Sequence, residues 1–100
     1  MRVYARGTLR AFWEDHPDSK GALEAWFRVA NNAKWRNSSD VKREYGSASI
    51  INKERVIFNI CGNNYRLIVQ INYLFQVIYI CFIGTHKEYD KIDVERIWRS

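Results

Sequence analysis

Arg66 in "YRL", followed after an apolar stretch by His86, Lys87, Tyr89, Asp90 and Lys91 in "THKEYDK", is the set of side chains best suited to chemistry on a phosphodiester. Lys53 and Arg55 in "NKER" add further cations. RNA can be cut without a metal when a 2′-hydroxyl loses its proton to a base and attacks the adjacent phosphate. Charge then builds on the equatorial oxygens and on the departing 5′ oxygen, where arginine and lysine stabilise it. Histidine transfers protons near neutral pH, and tyrosine stacks on a base or moves a proton.

Each of these residues also has a plainer use. The Arg66 stem can lie along Phe58, as arginine stems do on apolar surface. His86 can hydrogen-bond a strand end, Tyr89 and Ile92 can anchor the C-terminal segment, and Asp90 can pair with Arg66 or Lys91 as a support. Glu14, Asp15 and His16 precede Pro17 at a helix end, where capping is the expected role. Lys20, Lys34, Arg36, Lys42 and Arg43 read as a solvated helical surface with at most a nonspecific RNA footprint. No nucleophile elbow, P-loop or dinucleotide fingerprint is present. Residue types alone therefore reach a basic α+β domain with a candidate RNA site.

The elements that must position these residues follow from pattern. A chain of 100 residues, 47% hydrophobic and 15% aromatic, can close one core, and one domain over 1–100 is expected. The net charge of +5 points to an anionic partner. The longest apolar run, 77–83, falls far short of the ~18 residues a spanning helix needs. The N-terminus lacks the apolar stretch of a signal peptide, so a soluble, cytoplasmic protein without a membrane partner is expected.

Leu9, Phe12 and Trp13 share one face of a helix over 8–15, with Thr8 as its cap. Asp18 or Ser19 starts a second, in which Leu23, Trp26, Phe27 and Ala30 recur at helical spacing. "NSSD" caps a third carrying Val41 and Tyr45 and stopped by Gly46. The period then becomes two, giving strands over 47–51, 55–60, 65–73 and 76–83. Their short links, "NKE", "CGNN" and "LF", allow only antiparallel hairpins. The expected fold is α+β, with N-terminal helices on one face of an antiparallel four-stranded sheet.

Along 65–73, Tyr65, Leu67, Val69, Ile71 and Tyr73 form the core row, and Arg66, Ile68, Gln70 and Asn72 the other. A two-residue "LF" turn sets Arg66 opposite Ile83, just before His86, and gathers Lys53, Arg55 and Arg66 with the "THKEYDK" group near one end of the sheet. Cys61 and Cys81 point to opposite faces, so neither a disulfide nor a shared metal is expected, and no cofactor is implied.

The stretches "HPDSKGALEAWF", "KWRNSSDVKREYGSASIINKERVIFNICGNNYRLIVQINY" and "YICFIGTHKEYDKID" resemble the HigB toxins, a branch of the RelE-like bacterial toxins. The resemblance runs from about Thr8 to Asp93, and its most specific pieces are the "VIFNI" to "YRL" block and "THKEYDKID". It implies a microbial ribonuclease-like fold and an mRNA interferase that cuts translated mRNA in the ribosomal A site without a metal, with rRNA as a further partner. It also implies a HigA-type helix-turn-helix antitoxin, with operator DNA bound only through the complex. By this similarity Arg66 falls on the phosphate-holding arginine, His86 near the second catalytic basic position, and Tyr89 on the C-terminal tyrosine. Lys53 and Arg55 fall in a region that supplies further RNA-binding cations, as Lys87 and Lys91 do beside the site. The family pattern carries a basic residue in the last strand where this chain has Cys81. The resemblance leaves open whether that weakens the site or removes only a supporting contact, and an inactive RNA- or antitoxin-binding module stands as the alternative.

Overall fold

The computed structural model describes residues 1–94, 96 and 97. A strand β1 (Arg2–Tyr4) leads into α1 (Arg6–Asp15), a 3-10 turn (Pro17–Ser19), α2 (Lys20–Asn32) and α3 (Ser38–Glu44). Four strands follow, β2 (Ser49–Ile50), β3 (Arg55–Ile60), β4 (Tyr65–Asn72) and β5 (Val77–Thr85), and then the short helix α4 (His86–Tyr89).

The α+β reading holds, but the sheet has five strands, ordered β1-β5-β4-β3-β2, and it is mixed. β1 pairs with β5 in parallel, Arg2 against Val77 and Tyr4 against Tyr79. Such pairing needs a long crossover, which everything between Tyr4 and Val77 provides. A three-residue strand offers too little alternation to stand out in the sequence, which is why "RVY" escapes the pattern. The first helix begins at Arg6 with Ala5 at its cap position, earlier than Thr8 would place it.

The helices are amphipathic for one purpose, to cover one sheet face. Leu9, Leu23, Trp26, Ala30, Trp35 and Val41 meet Val56, Phe58, Leu67, Val69, Ile71, Ile78 and Ile80 in the main core. Phe58 is its aromatic hub, with the rings of Trp26 and Tyr45 edge-on at 5.4 and 5.1 Å and that of Trp35 stacked at 6.3 Å. Edge-to-face pairs of this kind add attraction beyond the area they bury. The opposite face has its own smaller cluster, Ile57, Ile68 and Cys81, covered by Phe82, Tyr89, Ile92, Val94 and Ile97. Cys61 packs on the helical side and Cys81 on this one, as the alternation requires.

The β3–β4 link turns through Cys61 and Gly62, both left-handed with φ of 54° and 66°. Beyond it Tyr65 fastens the helical layer to the sheet. Its hydroxyl donates to Asp18 Oδ1 at 2.7 Å, and its ring meets those of Phe12 and His16 edge-on. The hydrogen bond to Asp18, then burial and the carboxylate charge, push the phenol up to about 12. A raised tyrosine pKa means that folding favours the neutral phenol, so this contribution is complete below pH 10 and is lost as pH rises through about 12. Comparing alkaline melts of the wild type and Tyr65→Phe should therefore show a steeper loss of melting temperature in the wild type across that window, from a higher starting value at neutral pH.

Candidate functional site

β4 lies between β3 and β5 and presents Arg66 on the face away from the helices, in line with Ile68. Directly opposite Arg66 stand Asn59 on β3 and Gly84 on β5. The partner on β5 is not Ile83. From the β4–β5 turn to Val69↔Ile80 the pairing follows the register that sets Arg66 opposite Ile83, and then a bulge between Ile68 and Val69 shifts it by one. The extra residue is Cys81. It and Phe82 both turn to the second face, and Ile83 turns to the main core. One inserted residue thus replaces an isoleucine side chain beside Arg66 with a glycine.

A side chain there would meet its neighbours. A Cβ on Gly84 would stand 2.5 Å from Phe82 Cζ and 3.1 Å from Glu88 Oε1. Glu88 is engaged in turn: Thr85 Oγ1 accepts from the Glu88 amide at 3.2 Å and Glu88 Oε1 accepts from the Thr85 amide at 2.9 Å, a capping box that starts α4. These bonds to Thr85 hold the Glu88 carboxyl below the usual carboxylate range, with smaller help from His16 and Lys91. "THKE" carries the S/T-x-x-E signature, so this helix start was visible in the sequence, as was Asn59 once the "CGNN" link fixed the β3–β4 register.

The capped turn sets Tyr89 beneath Arg66, whose guanidinium carbon lies 4.9 Å from the ring centroid. His86 precedes Tyr89 by three positions, so the two share one side of α4. Among the described residues five buried side-chain polar atoms have no hydrogen-bond partner, and three belong to this end of the sheet: Arg66 Nε, His86 Nε2 and Asn59 Oδ1. Buried polar atoms are ordinarily paired, so these three stand out.

The other expected residues divide. Arg55 is 5% exposed, at the far end of β3 opposite Gln70, where its guanidinium donates to the Val94 and Ile97 carbonyls. At ~3.3 Å per residue it lies roughly 13 Å along the strand from Asn59, so Arg55 and the preceding Lys53 do not share the end of the sheet that holds Arg66. Arg55 holds the C-terminal segment onto the second face, a correction to its expected place at the RNA edge. Lys53, Lys87 and Lys91 are exposed. Asp90 is exposed too, and among the described residues no ion pair joins it to Arg66 or Lys91. Glu14 and Asp15 are exposed, and His16 caps α1 with its ring stacked on Phe12. Among the described residues no group of three or more His, Cys, Asp or Glu side chains could hold a metal ion, and no helix is long and apolar enough to cross a membrane.

A family model described as HigB_toxin, the RelE-like toxic component of a toxin-antitoxin system, matches residues 19–92. The chain belongs to the HigB family. No curated protein matches it. The HigB region takes in every element of the Arg66 site, from β3 to α4, and leaves β1 and α1 outside. Membership as the toxic component implies an antitoxin partner for this HigB chain.

Gly84→Ala should destabilise the fold by about 1–3 kcal/mol, the usual range for overpacking, because Phe82 must leave its place and the cap on α4 is pressed. A melting series that includes Gly84→Ala with Phe82→Leu should recover most of that loss, since the shorter side chain vacates the contested space.

Proposed function

We propose that this HigB-family chain is a ribosome-dependent endoribonuclease that cuts translated mRNA in the A site without a metal ion. The observation that carries the reading is the Arg66 guanidinium held over the Tyr89 ring, its Nε unpaired, with His86, one helical turn before Tyr89, unpaired at Nε2 as well. A scissile phosphate offers acceptors to Arg66, which stabilises the charge that develops as the 2′-oxygen attacks. His86 exchanges a proton with the attacking or the departing oxygen. Tyr89 keeps the guanidinium in place and offers a ring face to a base. Exposed Lys53, Lys87 and Lys91 attract RNA over the wider surface, and Asp90 sits at the end of α4 as a support. The reading places the protein in the cytoplasm, neutralised by a HigA-type helix-turn-helix antitoxin through which alone it reaches operator DNA.

A second reading, an RNA- or antitoxin-binding module without cleavage, is favoured by one observation. Where the family pattern has a basic residue the chain has Cys81, 1% exposed and packed with Ile57 and Ile68, so this position offers no cation to a phosphate.

Induction in a bacterium separates the two. The cleavage reading expects growth arrest and codon-positioned mRNA cuts. In ribosome assays Arg66→Ala and His86→Ala should each slow cutting by about 10²-fold or more. Unimpaired growth with stably accumulating wild-type protein would overturn the cleavage reading and favour the binding module.

A further inference from the structure

We propose that Asn59 reads the sugar. Its Oδ1 accepts from, and Arg66 Nε donates to, the 2′-hydroxyl of the nucleotide whose 3′ phosphate Arg66 holds. The inference rests on the cleavage reading and adds to it a residue that touches the ribose.

Asn59 and Arg66 are directly paired across β3 and β4, on one face, so their Cβ atoms lie about 4.5–5.5 Å apart. The amide nitrogen of Asn59 donates to the Ser47 carbonyl at 3.4 Å, which leaves Oδ1 as the free end of the amide. That oxygen is buried with no partner among the described residues, and so is Arg66 Nε. Across this one pair an acceptor and a donor are thus each unsatisfied and not bonded to the other.

The chemistry of the missing partner follows from what each atom needs. A phosphate oxygen could accept from Arg66 but has no proton for Asn59 Oδ1. A base edge such as that of adenine can donate through N6–H and accept at N7, but it needs two atoms and is separated by the sugar from the phosphate that Arg66 holds. A hydroxyl does both with one atom. Within an RNA strand that group is the 2′-hydroxyl, and DNA lacks it. Its oxygen and the 3′ phosphate of the same nucleotide are neighbours, so one guanidinium, with five N–H donors in a fixed fork, can reach both. Gly84 on the other flank adds no side chain, and the ring of Phe82 fills the place where one would begin.

The test is a cycle of two changes on programmed ribosomes, with His86→Ala present throughout so that cutting does not interfere. Affinity is measured for mRNA carrying ribose, or a single 2′-deoxyribose, at the nucleotide 5′ to the cut. Asn59 or Asn59→Ala is the second variable. The deoxy substitution should weaken binding by about five- to tenfold or more with Asn59 present, the range of one or two net hydrogen bonds, and by a several-fold smaller factor with Asn59→Ala, where Arg66 Nε alone still meets the hydroxyl. A deoxy penalty of equal size in both proteins, or none in either, overturns the proposal. If Asn59→Ala fails to fold, Asn59→Ser serves, since its hydroxyl is too short to reach the same point and the penalty should again shrink. Failure of the cleavage reading looks different: all-ribose mRNA on the ribosome is then left uncut by the wild type, whether bound or not.

Discussion

One extra residue in β5 decides what stands beside Arg66. The bulge at Cys81 turns Phe82 toward the second face and Ile83 into the main core, and brings Gly84 level with the arginine. Had the register run on unbroken from the turn, an isoleucine would occupy that flank and α4 would leave the sheet with the opposite parity. Thr85 would no longer be placed to start its helix, nor Tyr89 to lie under the guanidinium. The bulge is therefore the condition for the rest of the site, and it is local: the pairs from Val69 to Asn72 keep the register that a tight hairpin sets.

The second sheet face is divided between structure and chemistry. At one end Arg55 is fully committed, its charge met by carbonyls of the C-terminal segment. At the other Arg66 is held by a ring rather than by an acid, and Asn59, its neighbour, is bonded only through its nitrogen. An arginine paired with a carboxylate would have its donors occupied, whereas one resting on an aromatic face keeps its N–H edge for a ligand. The apolar cluster between the two ends, Ile57, Ile68 and Cys81, keeps them apart.

Much of this was legible. The helical stripes, the three antiparallel links, the two faces of β4 and the opposite orientation of the two cysteines all follow from side-chain period, which burial enforces strongly. Arg66 and Tyr89 meet, and His86 stands one helical turn before Tyr89. What the sequence hid has physical causes. A bulge leaves no mark when the inserted residue is an ordinary apolar one, so Cys81 read as one more strand position. β1 is too short to show a period, and its partner lies more than seventy residues away. Arg55 looked like an RNA-binding cation because charge is visible in a sequence and the carbonyls that meet it are not. Asn59 was overlooked because an amide in a strand raises no suspicion until its neighbour is known.

The parallel pairing of β1 with β5 carries a consequence for how such a protein is made. β5 is the strand that both the first strand and the central strand wait for, since it lies between β1 and β4. During synthesis β1 has no partner until Val77 to Tyr79 emerge, and Arg66 has neither its glycine neighbour nor its ring until Gly84 and Tyr89 follow. Contacts so distant in the chain form late. A nascent chain that has reached β4 thus holds the arginine but no site. The site is complete only once the last strand and the short helix after it have emerged.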